Sequence, residues 1–250
     1  MEKIRVGAVS YRNAKPLVYG IGQPDMMDIM ELSYDYPARL ADQLREGTID
    51  IGLIPVAAMP GIPGARIVGS HGIAADGKVG SVALFSHSPI DEVEEVFLDY
   101  QSRTSLALTK ILFRDHWKKS ISYIASSGDE YMEQIRGRKA GLIIGDRALL
   151  QAGRFPYVYD LAENWKLHTG LPFVFAAWVA TRSLSTDFID RFEQANESGV
   201  SKRWRRWPRS GHCQGWICFF ILGIRSTIES MPQRWKGFGC FSVGWRIKPE

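Results

Sequence analysis

Residues 4–9, Ile-Arg-Val-Gly-Ala-Val, are a short run rich in β-forming side chains, and the polar turn 10–13 follows directly. Pro16 then suits the first turn of a helix, where its missing N–H costs nothing. A second run, Asp-Ile-Gly-Leu-Ile-Pro at residues 50–55, predicts a buried strand that ends at the proline. The stretch between them contains one more predicted strand and one predicted helix, at residues 29–32 and 37–46. Strands that alternate with helices are typical of an α/β sheet.

The alternation resumes after a Gly-rich connector. Ser102 is suited to cap a helix that runs to about Trp117, with Leu108 and Leu112 on its inner side. The remaining predicted strands cover residues 79–85, 96–99, 121–124, 140–144 and 173–180, and the remaining predicted helices cover residues 129–136 and 187–196. The whole of residues 1–200 therefore reads as α/β.

Composition indicates a globular protein. Apolar residues make up 45% of the chain and charged residues 23%, as is usual for soluble domains, and 250 residues suffice for one large domain or two small lobes. The N-terminus carries charges throughout and has no apolar stretch of signal-peptide length. No run reaches the length of a membrane span. We therefore expect a cytoplasmic protein with no membrane partner.

The net charge of +4 conceals two different kinds of sequence. Residues 1–200 hold 21 Lys and Arg against 25 Asp and Glu, whereas residues 201–250 hold 10 against 2. All three cysteines and five of the eight tryptophans also lie in this last fifth. We therefore treat residues 201–250 as an anomalous basic tail and interpret residues 1–200 separately.

Motifs for several chemistries are absent from the sequence. It has no GxGxxG segment after a strand, no Walker loop, no CxxC and no HExxH. The five histidines show no metal-ligand spacing, so we expect no metal site. Because residues 1–200 are acidic, nucleic-acid binding would depend on the tail alone, and we expect no nucleic-acid partner.

Polar residues gather where the predicted strands end. In open α/β sheets, ligands bind beyond the carboxyl ends of the strands. A helix start rich in Ser and Thr also offers N–H groups, hydroxyls and a positive dipole end to a carboxylate. The residues concerned are Asn13, Ser81, Ser86, the pair Gly145-Asp146, and Ser102, Arg103, Thr104 and Ser105 at the helix entry. Some of them have a structural alternative: the Ser102–Ser105 entry can be a plain N-cap, Asn13 a turn former and Asp146 a helix cap. From the residues alone, the prediction stops at a small-anion binder.

At these positions the sequence resembles the chorismate dehydratases of the futalosine route to menaquinone. The similar segments are VSYRNAKPL (9–17), GSVALFS (80–86), LDYQSRTS (98–105), LIIGDRAL (142–149), DLAENW (160–165) and TGLPFVFA (169–176). One such segment alone would be weak evidence for the family, but six segments in the family's order over most of residues 3–180 are specific to it.

The resemblance implies an α/β chain with a two-lobed type II periplasmic-binding-protein-like fold. By analogy, residues 1–88 and 172–200 form the first lobe, and residues 89–171 form the second. The implied reaction is the loss of water from chorismate to give 3-[(1-carboxyvinyl)oxy]benzoate. The implied partner is the small-molecule substrate chorismate, and no cofactor or metal is implied.

The resemblance also implies a set of site residues. Asn13 and Ser81 are the expected catalytic residues, and the expected substrate-binding residues are Ser86, Ser102, Arg103, Thr104, Ser105, Asp146, Thr169 and Gly170. Although they lie far apart in sequence, Asn13, Ser81 and residues 102–105 should converge on one cleft between the lobes.

Two other functions remain open. The sister enzyme that makes 1,4-dihydroxy-6-naphthoate later in the same pathway shares the fold, but the segments at 102–105 and 169–176 favour the dehydratase. A non-catalytic binding protein for a small carboxylate is the alternative from another class.

For the tail we predict a shift of reading frame near Val200, because back-translation of residues 201–241 with one frame shift can give a segment that ends like the family. Resequencing the gene across the codon for Val200 should therefore reveal an inserted or deleted base. The out-of-frame tail should leave Trp204, Trp207, Trp235 and Trp245 exposed. An uninterrupted frame would instead support a genuine basic tail that binds nucleic acid or membrane.

Overall fold

The computed structural model describes residues 2–204, apart from the side chains of Arg12 and of residues 202–204. The strands are β1 (Ile4–Val9), β2 (Met30–Asp35), β3 (Ile51–Pro55), β4 (Arg66–Ala75), β5 (Val82–Ser86), β6 (Glu95–Leu98), β7 (Ser122–Ala125), β8 (Lys139–Ile144), β9 (Tyr157–Asp160) and β10 (Phe173–Ala180). The helices are α1 (Lys15–Ile21), α2 (Pro24–Met27), α3 (Pro37–Glu46), α4 (Arg103–Ile111), α5 (Asp146–Leu149), α6 (Leu161–Thr169) and α7 (Thr186–Trp204). No helix in this part of the chain is long and apolar enough to cross a membrane.

Two five-stranded sheets share one strand order. The first sheet runs β2-β1-β3-β10-β4 and the second runs β7-β6-β8-β5-β9. In each, the first three strands are parallel, and an antiparallel strand from elsewhere in the chain separates them from an edge strand. Each sheet is thus completed by a strand that arrives from the other half of the molecule.

Local signals explain the helix that covers one face of the first sheet. Pro37 occupies the first turn of α3, and Gly47 ends the helix in the left-handed conformation at φ 74°. Leu40 and Leu44 are buried, and all of β3 is buried beneath them. The amphipathic face of α3 is therefore what holds it on the sheet.

The described chain passes between the sheets twice. Residues 76–81 lead from β4 to β5, and residues 170–172 lead from α6 to β10. Strand β5 pairs in the second sheet, whereas the boundary expected at residue 88 would leave it with the first. We therefore propose lobe boundaries within these two connections.

Several elements differ from the sequence-based predictions. The predicted Gly-rich connector contains β4, whose glycines are tolerated because Gly69, at φ 71°, lies in a bulge of this edge strand. Residues 129–134 form a 3₁₀ helix, not an α-helix. Strand β9 and helix α6 were not predicted. The exposure predicted for Trp204, Trp207, Trp235 and Trp245 concerns side chains outside the described residues.

Helix α7 extends to Trp204, whereas the sequence predicted that it ends at residue 196. The helix packs closely against α1. A Cβ on Gly20 would lie 1.7 Å from the carbonyl oxygen of Ala195, and one on Gly199 would lie 2.2 Å from that of Pro16. The two glycines thus allow the backbones to touch.

A buried histidine fastens α7 to the edge strand β4. His71 Nδ1 lies 3.0 Å from Glu193 Oε1, and Nε2 lies 3.1 Å from Glu197 Oε2. Burial alone would lower the pKa of His71, but the two carboxylates outweigh it and raise the pKa. Burial would likewise raise the pKa of Glu193, but hydrogen bonds from His71 and Ser70 lower it. His71 is therefore protonated and Glu193 ionised at mildly acidic pH.

This charge state predicts a pH-dependent stability. A raised histidine pKa contributes stability below the unfolded value of about 6.5, and this is lost as pH rises through the folded pKa. The lowered pKa of Glu193 contributes above the unfolded value of about 4.3. His71→Gln should therefore lower the free energy of unfolding by about 1 kcal/mol near pH 5.5, and by less near pH 8.5. Urea denaturation at both pH values tests this, with the exposed His87→Gln as control. An equal loss at both pH values would contradict it.

Candidate functional site

A cavity lies between the two sheets and is bordered by residues from both. The empty space between its walls is about 570 Å³, with the opening to solvent included. The lining residues are Val9, Tyr11, Asn13, Pro37, Pro55, Ile73, Ala74, Val79, Ser81, Val82, Ser102, Ser105, Ile144, Gly145, Phe175 and Ala176. Four of the predicted site residues, Asn13, Ser81, Ser102 and Ser105, therefore converge as expected.

Asn13 brings an unsatisfied hydrogen-bond acceptor to this cavity. It lies in the 3₁₀ turn Arg12–Ala14, between β1 and α1. Its side-chain Oδ1 is buried and has no hydrogen-bond partner. Because a buried polar atom without a partner costs about 1–3 kcal/mol, this oxygen indicates a place for a ligand donor.

Ser81 enters the cavity at the end of the first connection between the sheets. Its carbonyl oxygen accepts a hydrogen bond of 2.7 Å from the Gly145 N–H. Gly145 has φ 67° and ψ −150°, a conformation that is essentially restricted to glycine. This backbone contact joins the loop after β8 to the residue before β5 and fixes the cavity wall.

Ser102 and Ser105 form the wall at the N-terminus of α4. Ser102 Oγ accepts from the Ser105 N–H at 3.2 Å, which confirms the predicted N-cap, and from Ser105 Oγ at 3.1 Å. Since Ser102 Oγ accepts both bonds, its own hydroxyl hydrogen is available to donate to a ligand. The positive end of the helix dipole adds to the attraction for an anion.

Tyr11 spans the cavity from one lobe to the other. Its hydroxyl donates to Gln101 Oε1 in the segment before α4, and its ring would contact a Cβ on Gly145 at 3.5 Å. Burial raises the pKa of Tyr11, against the influence of Arg147. The phenol is therefore neutral at physiological pH and acts as a hydrogen-bonding group.

The lining is otherwise without ionisable side chains. Its polar atoms belong to serine hydroxyls, one amide and the Tyr11 phenol, and the remaining lining residues are apolar or glycine. Among the described residues, no three His, Cys, Asp or Glu side chains are placed to hold a metal ion. A neutral cavity with hydroxyl and amide groups suits a small polar ligand that is recognised through hydrogen bonds.

Comparison with known proteins bears on what occupies this cavity. A family model described as menaquinone biosynthesis matches residues 4–210. The chain belongs to this family. A relative named chorismate dehydratase, from Thermus thermophilus, is 26% identical over 201 residues, which cover 71% of this chain and 69% of that protein.

Solved structures confirm the fold of this menaquinone biosynthesis family member. Protein AF1704 from Archaeoglobus fulgidus matches with a TM-score of 0.65 at 15% identity, covering 96% of this chain and 87% of its own. The alkanesulfonate-binding protein SsuA from Xanthomonas axonopodis pv. citri, bound to MOPS, matches with a TM-score of 0.57 at 14% identity, covering 86% and 78%. The Candida albicans CA3427 gene product, which has the generic periplasmic-binding-protein fold, matches at 0.53 and 13%, covering 82% and 72%. The two-lobed periplasmic-binding-protein-like fold is thus established.

Two residues of the predicted site bridge the lobes instead of lining the cavity of this family member. Arg103 Nη2 pairs with both carboxylate oxygens of Asp42 in α3, at 2.8 and 3.0 Å. Thr104 Oγ1 accepts from the Ala57 N–H at 3.2 Å. Just before them, the Gln101 carbonyl accepts from the Ala38 N–H at 3.1 Å. Residues 101–104 therefore connect the two lobes beside the cavity.

The other predicted site residues lie outside the lining. Ser86 is buried at the far end of β5 and accepts from the Ser88 N–H. Asp146 is the first residue of α5, next to Gly145. Thr169 donates to the Trp165 carbonyl at 2.8 Å, and Gly170 ends α6 in the left-handed conformation. These last two residues shape the second connection between the lobes.

The sequence analysis missed several residues of the cavity. Tyr11 looked like an ordinary turn residue, although its place two positions before Asn13 was a usable signal. Ile73 and Ala74 lie on β4, which was not predicted because the segment is rich in glycine. Phe175 lies on a strand that was predicted, but without a role in the site.

The backbone at Gly145 generates a testable prediction. Gly145→Ala should lower the free energy of unfolding by about 1–3 kcal/mol, because the added Cβ strains a conformation that only glycine adopts freely. Gly61→Ala is the matched control, since no atom lies within 4 Å of a Cβ there. Urea denaturation of both variants measures the difference. If the two variants are equally stable, the conformation assigned to Gly145 is wrong.

Proposed function

We propose that this chain removes water from chorismate to give 3-[(1-carboxyvinyl)oxy]benzoate. The observation that carries the proposal is the neutral cavity in which Asn13, Ser81, Ser102 and Ser105 converge. The chorismate dehydratase relative supports it further. As a step of menaquinone biosynthesis, the reaction is proposed to occur in the cytoplasm.

The chemistry of chorismate matches the polar groups of the cavity. At neutral pH the molecule has two carboxylates, an enol ether and one hydroxyl, so the hydroxyl at C4 is its sole hydrogen-bond donor. The unpartnered Oδ1 of Asn13 is an acceptor and therefore fits this hydroxyl better than it fits either carboxylate. Asn13 would then orient the C4–O bond that breaks.

The serines fit the ring carboxylate. Loss of the C3 proton leaves negative charge on C3, and the diene delocalises this charge onto the ring carboxylate. Donors fixed around it stabilise the charge as it develops, in the manner of an oxyanion hole. Ser81 and Ser102 are the hydroxyls we assign to this role, with the N-terminus of α4 behind them.

The cavity provides no side chain suited to be the general base. Tyr11 is the one titratable group among the lining residues, and its raised pKa keeps the proton on the phenol. We therefore assign the base to the substrate's own side-chain carboxylate, which can accept the C3 proton and pass it to the departing C4 hydroxyl, so that the two leave together as water. Aromatisation of the ring drives the reaction, so the protein needs chiefly to orient the groups.

The proposal predicts turnover by the 250-residue chain, seen as loss of the diene absorbance of chorismate and appearance of the aromatic product. Ser81→Ala should lower kcat by about 10²–10³-fold with a smaller change in KM, because a donor to developing charge is lost. Ser88→Ala is the matched control. Its hydroxyl donates to the Gly137 carbonyl and lies outside the cavity lining.

Two results would contradict parts of this proposal. Tight binding of chorismate without product would make the chain a carboxylate-binding protein. Normal kcat with a raised KM in Ser81→Ala would mean that the serine binds substrate without stabilising the charge that develops.

A further inference from the structure

Asp160 holds four backbone N–H groups with one buried carboxylate. Oδ1 accepts from Ala162 and Glu163 at 3.0 Å each, which caps the N-terminus of α6. Oδ2 accepts from Val79 at 2.9 Å and from Gly80 at 2.6 Å. The residue is 2% exposed, so water does not compete for these bonds.

Val79 and Gly80 belong to the connection that leads directly into Ser81. On the other side of Ser81, its carbonyl is held by Gly145, and the next residue, Val82, pairs with Ile144 in the second sheet. The backbone of Ser81 is therefore fixed from both directions, and Asp160 provides the restraint on its N-terminal side.

Helix capping accounts for only half of this arrangement. A cap needs one side-chain oxygen, as Ser102 shows at the start of α4. In Asp160 the second oxygen is committed to Val79 and Gly80, which lie about 80 residues away in the chain. Gly80 has φ 70°, so the connection adopts a conformation that favours glycine and is retained by these bonds.

We propose that Asp160 is a positioning residue for Ser81, a role that rests on the proposed dehydration of chorismate. Asp160 is not among the residues that line the cavity and acts through the backbone of residues 79–81. A displacement of the serine hydroxyl by a fraction of an ångström reduces its interaction with developing charge, because such stabilisation depends on preorganised geometry.

The first test separates positioning from capping. Asp160→Ser retains a good N-cap for α6 but loses the second oxygen, and Asp160→Asn replaces one acceptor with an amide donor. Both variants should lower kcat by about 10–10²-fold with a smaller effect on KM. Circular dichroism confirms folding of each variant. Asp50→Asn is the control, since Asp50 is also buried and accepts from a backbone N–H, that of Arg5, but is outside the cavity lining.

The decisive measurement is a double-mutant cycle with Ser81→Ala. If Asp160 acts through Ser81, Asp160→Ser should slow the Ser81→Ala enzyme by less than about twofold, because the hydroxyl to be positioned is gone. A full and additive loss of kcat would overturn the proposal and leave Asp160 as a structural residue.

Failure of the proposed function gives a different result. In that case the wild-type chain releases no aromatic product, and chorismate affinity replaces kcat as the readout of the same cycle. Coupling between Asp160 and Ser81 in chorismate binding would support positioning, and additivity would overturn it. Amide exchange provides a structural check, since Asp160→Ser, but not Asp50→Asn, should speed exchange in a peptide that covers residues 76–83.

Discussion

Helix α6 fixes both connections between the lobes, and the geometry of the cleft depends on this constraint. Its N-cap, Asp160, holds the first connection at Val79 and Gly80. Farther along the helix, the Trp165 indole donates to the carbonyl of Pro172 in the second connection at 3.3 Å. Because each sheet receives one strand through these connections, a shift of α6 would disturb the walls of the cavity on both sides.

The same arrangement explains how a site whose lining has no charged side chain is formed. The cleft walls are formed by strand ends, by the positive-φ glycines Gly80 and Gly145 and by one helix N-terminus. They bring hydroxyls, an amide and a helix dipole to the cavity. Such groups stabilise charge without proton transfer. A substrate that contains its own base and gains aromaticity is well matched to such a site.

Short-range signals explain why much of the fold was predictable from the sequence. Strand β1, helix α3 and strand β10 were predicted to the residue, because proline, glycine or an unbroken apolar run marks their ends. Strand β4 was missed because it contains two glycines and is stabilised by pairing with β10, which lies about 100 residues later in the chain.

The site was predictable to a similar extent. Asn13, Ser81, Ser102 and Ser105 follow from strand ends and from the family resemblance, and their convergence needed only the topology. Whether Arg103 and Thr104 face the ligand or the other lobe depends on the position of α3, which no local pattern encodes. The same holds for Asp160, because its hydrogen bonds with Val79 and Gly80, about 80 residues away, leave no pattern in the sequence.

The interlobe contacts of residues 101–104 have a consequence for the rate of the proposed turnover. These contacts join the two lobes beside the cavity, so they break when the lobes separate. In the dehydration that we propose, each catalytic cycle would break the Arg103–Asp42 pair and the backbone contacts to Ala38 and Ala57 as the lobes open, and would form them again as the lobes close. The rate at which these contacts break would then set an upper limit on the proposed turnover. A better arrangement of the reacting groups would not raise kcat above that limit.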